Sequence, residues 1–108
     1  MGRIPLEAAV PVPPLPPLVA RPSSRFAKDL KRARKQGLDL AELYAVVALL
    51  QVRAPLPERC RDHALLGSWI GFRECHIRPD WLLVYAVNDT ALVLVLQRTG
   101  THADLFGE

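Results

Sequence analysis

Residues 69–98 read WIGFRECHIRPDWLLVYAVNDTALVLVLQR, and this stretch decides the fold. Runs rich in Val, Ile, Leu and aromatic residues, at about 69–77, 81–87 and 91–98, are separated by Arg78-Pro79-Asp80 and by Asn88-Asp89-Thr90. Apolar runs bounded by Pro, Asn and Asp read as strands joined by turns. Connections this short let neighbouring strands pair only antiparallel, so the stretch predicts a three-stranded meander. The second and third strands are almost continuously apolar, which requires other elements to cover the sheet.

Those elements lie upstream. Ser24 can cap a helix running to about Gln36, with Phe26, Leu30 and Ala33 on one face and Gly37 as its stop signal. A second helix opens at Asp39, where Asp39 and Glu42 have the spacing of a capping box, and continues through Leu43, Val47 and Leu50. The short link between them predicts an αα-hairpin, and Pro55 and Pro57 end the helical pattern. Ahead of the hairpin, Leu18-Val19-Ala20-Arg21 predicts a short first strand that Pro22 closes. The expected fold is therefore α+β in the order β-α-α-β-β-β, an antiparallel sheet packed against an N-terminal αα-hairpin. The folded domain is expected at 17–108. Residues 1–16, where Pro11, Pro13, Pro14 and Pro16 recur, are expected to be a disordered extension.

A chain of 108 residues holds one such domain, and with 50% hydrophobic and 23% charged residues it can bury a core. Cys60 and Cys75 are too few for a disulfide scaffold, and Cys75 falls in an expected buried strand. No apolar run approaches the ~20 residues of a membrane span, so a soluble cytoplasmic protein is expected. The formal charge of +3 suits an anionic partner. Lys28, Lys31, Arg32 and Lys35 recur at i, i+3, i+4 and i+7, a basic helix stripe. It is either a solvated face or a surface for RNA or an acidic protein.

All three histidines lie beside acids, arginines and tryptophans between Arg61 and Phe106. If Asp89 centres its turn, cross-strand partners sum to about 178, which sets Asp80 opposite Arg98. His76, Asp80, Trp81, Arg98 and His102 then converge on one sheet end, while His63 is left unplaced. Imidazoles, a carboxylate and an arginine in one cleft suit RNA cleavage by acid–base chemistry. One group removes the 2′-hydroxyl proton, another protonates the leaving 5′-oxygen, and a cation stabilises the charged phosphorus centre. Trp81 and Phe106 could stack on splayed bases. Each residue also has a plainer use: Asp62-His63 as a loop pair, His76 as a satisfied strand residue, His102 as a turn residue, and Trp69 as packing. Asp62, Glu74 and Asp104 read as salt-bridge or cap residues. The sequence contains no C-x-x-C, H-E-x-x-H or Gly-rich phosphate loop, so neither a metal nor another cofactor is expected. A non-catalytic module that binds RNA or protein through the basic helix and the same cleft is the alternative.

From Phe26 to Gly107 the chain resembles the YafQ branch of the RelE superfamily, toxin endoribonucleases of bacterial type II toxin–antitoxin systems. The resemblance rests on several segments. They are Phe26-Ala27-Lys28-Asp29-Leu30-Lys31, Leu56-Pro57, Arg61-Asp62-His63 through Gly67-Ser68-Trp69, Arg73-Glu74-Cys75-His76-Ile77-Arg78-Pro79-Asp80-Trp81, Arg98-Thr99-Gly100-Thr101-His102 and Leu105-Phe106. It implies a microbial-ribonuclease-like fold, metal-free mRNA cleavage in the ribosomal A site, and silencing by a cognate antitoxin that wraps the toxin. It further implies a catalytic group of His63, His76, Asp80 and His102; within it we expect His102 and Asp80 as the leading acid–base pair, with His63 and His76 orienting or sharing proton transfer. Trp81 and Phe106 would shape the site, and Arg73 and Arg98 would support the phosphate.

Overall fold

The first helix is capped by Ser23, one residue ahead of the expected position. Its hydroxyl accepts the Phe26 N–H at 3.0 Å and donates to the Gln97 carbonyl at 2.8 Å, so one side chain both starts the helix and fastens it to the sheet. This computed structural model describes residues 15–107; of the expected N-terminal extension, all but residues 15 and 16 lie outside the described residues. Helix α1 (Ser24–Lys35) ends at Gly37, whose φ of +77° permits the left-handed exit, and α2 (Leu40–Gln51) is capped by Asp39. The Asp39–Glu42 capping box does not form. Glu42 instead receives the Arg78 guanidinium, tying α2 to the end of a strand.

The strands are β1 (Val19–Pro22), β2 (His63–Ala64), β3 (Arg73–Arg78), β4 (Trp81–Asn88) and β5 (Val93–Gly100), in the sheet order β1-β5-β4-β3-β2. The α+β architecture and the β3-β4-β5 antiparallel meander follow the expectation. Two features do not: β1 pairs with β5 in parallel, and the two-residue β2 adds an edge antiparallel to β3, so the sheet is mixed. The strand expected from residue 69 begins only at Arg73. Gly67–Trp69 turns as a 3₁₀ segment, and Gly71 takes φ +94°.

The β4–β5 register also differs from the expected sum of 178. Leu82 faces Gly100, Leu83 faces Thr99 and Val84 faces Arg98, a sum of 182. The reason is the turn, which extends to Leu92 at φ +57° and is braced by the Asn88 side chain accepting the Ala91 N–H at 2.9 Å. A bulge between the Val84 and Tyr85 pairs adds the last residue. Arg98 is thus displaced from Asp80, and the position beyond Leu82 and Gly100, where Asp80 and His102 meet, becomes the end of the sheet.

Strand alternation distributes the apolar residues over both sheet faces. Cys75, Leu83, Tyr85, Leu94 and Leu96 pack with Phe26, Leu43, Val46 and Val47 under the long helices. Leu82 and Val84 point the other way and meet Leu105 of the short helix α3 (His102–Phe106), flanked by Leu65, Trp69, Phe72 and Phe106. Both cysteines are free and buried, and burial pushes the Cys75 thiol up, so it is an inert core residue. Among the described residues, no helix is long and apolar enough to cross a membrane.

Candidate active site

Glu74 and His76 are two residues apart on β3, with Cys75 between them in the helix-side core, so both project from the thinly covered face. The β2–β3 pairing sets His63 directly across from Glu74 on that face. His102, the first residue of α3, closes the group from the far end of β5. The result is a buried carboxylate ringed by three imidazoles. Glu74 is 4% exposed, and its Oε1 lies 3.7 Å from His63 Nε2, 3.6 Å from His76 Nε2 and 4.0 Å from His102 Nε2. Each imidazole, once protonated, stands at ion-pair distance from the same oxygen.

The other nitrogen of each ring explains why all three present Nε2. His63 Nδ1 lies 2.6 Å from the Arg61 carbonyl and His76 Nδ1 lies 3.1 Å from the Pro79 carbonyl, oxygens that can only accept. His102 Nδ1 lies 2.9 Å from Asp80 Oδ1. The proton is therefore assigned to Nδ1 in each neutral ring, leaving an Nε2 lone pair directed at the centre. The unusual backbone at Arg61, φ +46°, aims the carbonyl that His63 uses.

Asp80 Oδ1 also accepts the His102 backbone N–H at 3.1 Å. The His102 side-chain bond, seconded by the backbone bond, holds the Asp80 carboxyl below the usual carboxylate range. It is thus an ionised acceptor at neutral pH. A depressed carboxyl stabilises the fold above its unfolded-state value, and that contribution disappears as pH falls through the depressed value. Helix α3 is set by a capping box in which Thr101 Oγ1 accepts the Asp104 N–H and Asp104 Oδ2 accepts the Thr101 N–H. Phe106 lies beside His102, ring centres 6.4 Å apart, and packs edge-on against Trp69 at 5.7 Å.

His63, His76, Asp80, His102 and Phe106 therefore converge, whereas three other expected residues are placed elsewhere. Trp81 is 3% exposed in the helix-side core, and its indole N–H donates to Thr99 Oγ1 at 2.9 Å, so it offers no face for stacking. Neighbours on a strand point to opposite faces, which is why adjacency to Asp80 misleads. Arg73 pairs in register with Tyr85 on the face away from Glu74. Its guanidinium bonds Asp62, which also accepts the Tyr85 hydroxyl. Burial of that phenol, together with its bond to Asp62, pushes Tyr85 up, keeping it a neutral donor. Arg98 is 8% exposed, with Nε and Nη2 on Asp29 at 2.7 and 3.2 Å. Glu74 is the residue that sequence reasoning missed. The signal was present in Glu74-Cys75-His76, because a buried Cys75 forces its two neighbours onto one face. On α1, Lys28, Lys31 and Lys35 are exposed, while Arg32 is half-buried and engaged with other side chains.

Glu74, His76 and His102 present ligand atoms within 4.8 Å of one another, a mixed N and O set that suits zinc or copper. Spacing along the chain did not reveal it, because the ligands come from β3 and α3.

Residues 18–107 match the family of bacterial toxins of type II toxin–antitoxin systems, YafQ. The chain is 44% identical over 86 residues to the mRNA interferase toxin YafQ of Escherichia coli K12, covering 79% of this chain and 91% of that protein. Its fold is similar to the toxin in the E. coli DinJ–YafQ toxin–antitoxin complex, with 42% identity and a TM-score of 0.76 over 83% of this chain and 98% of the other. A metal-bound toxin from Helicobacter pylori is similar at 45% identity and a TM-score of 0.79, covering 82% and 99%. With nearly all of its described length matched, this chain belongs to the YafQ family of type II toxin–antitoxin toxins.

Proposed function

We propose that this protein is a toxin that cleaves mRNA on the ribosome, in the cytoplasm, and that a cognate antitoxin silences it. The observation that carries the reading is the convergence of three Nε2 atoms on Glu74 Oε1 within 4.0 Å, with His63 and His102 partly exposed. One imidazole that takes a proton and another that gives one satisfy the two proton transfers of 2′-hydroxyl attack. His102 performs one of them at Nε2, with Asp80 behind it fixing the tautomer and accepting the positive charge's N–H. His63 or His76 performs the other. Asp80 then orients His102 instead of transferring a proton itself. Because Asp29 and Asp62 occupy Arg98 and Arg73, a protonated imidazole supplies the cation at phosphorus. This mechanism requires no metal, and a metal held on the His76 and His102 Nε2 atoms would occupy the lone pairs that carry the protons. The domain is proposed to occupy residues 17–108, with 1–16 outside it.

Induced expression should stop translation and growth, and co-expression of a cognate antitoxin should restore both. Normal protein synthesis at high levels of soluble, folded protein would contradict the proposal.

The exposed lysines of α1 give a separate expectation. Replacing Lys28, Lys31 and Lys35 together with Gln should weaken ribosome association and flatten its dependence on salt, by up to about 0.7 in log–log slope for each phosphate that is no longer neutralised. Binding measured at several salt concentrations checks this. An unchanged slope would make the stripe a solvated face.

A further inference from the structure

Arg32 was expected to share the basic stripe with three lysines, but its guanidinium is turned into the fold. Its Nη2 donates to Asp29 Oδ1 at 3.1 Å and to the Thr99 carbonyl at 3.4 Å, and lies 3.7 Å from Asp104 Oδ2. Thr99 and Asp104 flank the junction where Gly100, the last residue of β5, passes through Thr101, the cap of α3, to place His102 at the first helical position. The guanidinium lies against that junction. A Cβ added at Gly100 would stand 2.9 Å from Arg32 Nη2 and 3.1 Å from Asp104 Cβ and Oδ2, and Gly100 has φ +157°. The anchor itself is rigid, because Asp29 also holds Arg98 and accepts the Thr99 N–H at 3.1 Å.

We propose that Arg32 is a positioning residue for His102: it clamps the Thr99 carbonyl and the Asp104 carboxylate across the β5–α3 junction, and so fixes the His102 ring against Asp80. The proposal rests on the functional reading above for its effect on cleavage, and on geometry alone for its effect on the ring. A helix of five residues has little rigidity of its own, so its direction depends on its cap. Asp104 is the residue that the cap and the clamp share. The bond to the Thr101 backbone, with Arg32 adding to it, holds the Asp104 carboxyl below its usual range. Asp80, exposed at the other side of the ring, can keep the His102 Nδ1–H only where α3 delivers it. Misplacing a reacting group by about 1 Å can cost about 10²-fold in rate. Arg32 is partly exposed and one of several restraints, so a smaller loss is expected.

The test compares Arg32→Gln and Arg32→Lys with wild type by two readouts: single-turnover cleavage on saturating programmed ribosomes, and long-range ¹⁵N–¹H NMR spectra of the imidazoles in the free protein. Arg32→Gln should cleave about tenfold more slowly at saturation. Its His102 spectrum should move from the single Nδ1–H tautomer towards a mixture, while His63 keeps its wild-type signals. Arg32→Lys should recover part of both, since it keeps the charge but not the planar fork. Wild-type cleavage at saturation with an unchanged His102 spectrum and weakened ribosome binding would overturn the proposal and return Arg32 to the basic stripe. Equal perturbation of all three imidazoles with a lowered unfolding midpoint would also overturn it, as general loosening. If His102→Ala cleaves at the wild-type rate in the same assay, the functional reading fails, and the His102 spectrum alone then decides whether Arg32 positions the ring.

Discussion

His102→Ala is expected to lose about 10²- to 10⁴-fold in single-turnover cleavage on saturating ribosomes while remaining folded and bound, the range for removing one general acid or base. His102 is singled out because its Nδ1 is held by a carboxylate, whereas His63 and His76 are held by carbonyls. A carboxylate stabilises the imidazolium that forms during proton transfer more than a neutral carbonyl does. Asp80→Ala should slow cleavage in the same direction by releasing the ring. The fold should survive both changes, since Asp80 is exposed and His102 is partly exposed at the end of the sheet, outside both apolar clusters. A wild-type rate for saturated His102→Ala would assign His102 to the turn alone, and would favour the module that binds without cleaving.

Asp29→Ala is expected to destabilise the fold by about 3–5 kcal/mol, the cost of leaving one member of a buried ion pair uncompensated. Asp29 is 3% exposed and accepts four bonds, two from Arg98 and one each from Arg32 and the Thr99 backbone. Small domains have only about 5–15 kcal/mol in total, so much of the protein would be unfolded at modest denaturant. The urea midpoint, with an unchanged slope, measures the loss. Replacing both partners by apolar residues, Asp29→Leu with Arg98→Met, should cost less than Asp29→Ala, because no buried charge is then stranded and Arg32 reaches solvent. A loss under about 1 kcal/mol for Asp29→Ala would show that water reaches the Arg98 guanidinium.

The elements were legible because their signals are local. Asp39, Gly37, Pro55 and Pro57 bound the helices, and Pro79 and Asn88 bound the strands. The convergence of His76, Asp80 and His102 was legible too, although the register that predicted it was off by four in the partner sum, because the turn runs on to a left-handed Leu92 and a bulge between the Val84 and Tyr85 pairs adds the last residue. What could not be read are contacts set by tertiary packing. Arg98 looks like a free phosphate ligand until Asp29, 69 residues away, occupies it. Trp81 looks like a stacking platform until the helices cover it. Glu74 read as a salt-bridge or cap residue; the buried Cys75 signals the face it shares with His76, but its place at the centre also depends on the His63 pairing on β2 and on the delivery of His102 by α3. The first strand was legible but its parallel pairing was not, because a four-residue strand carries no mark of its partner.

The chemistry at the RNA ends tests the central claim most directly. Message cleaved on ribosomes in the presence of a chelator that leaves the ribosomes intact should carry a 2′,3′-cyclic phosphate or 3′-phosphate on the upstream fragment and a 5′-hydroxyl on the downstream one, as imidazole-driven attack by the 2′-oxygen requires. Fragments bearing a 3′-hydroxyl and a 5′-phosphate, formed only when metal is restored, would contradict it.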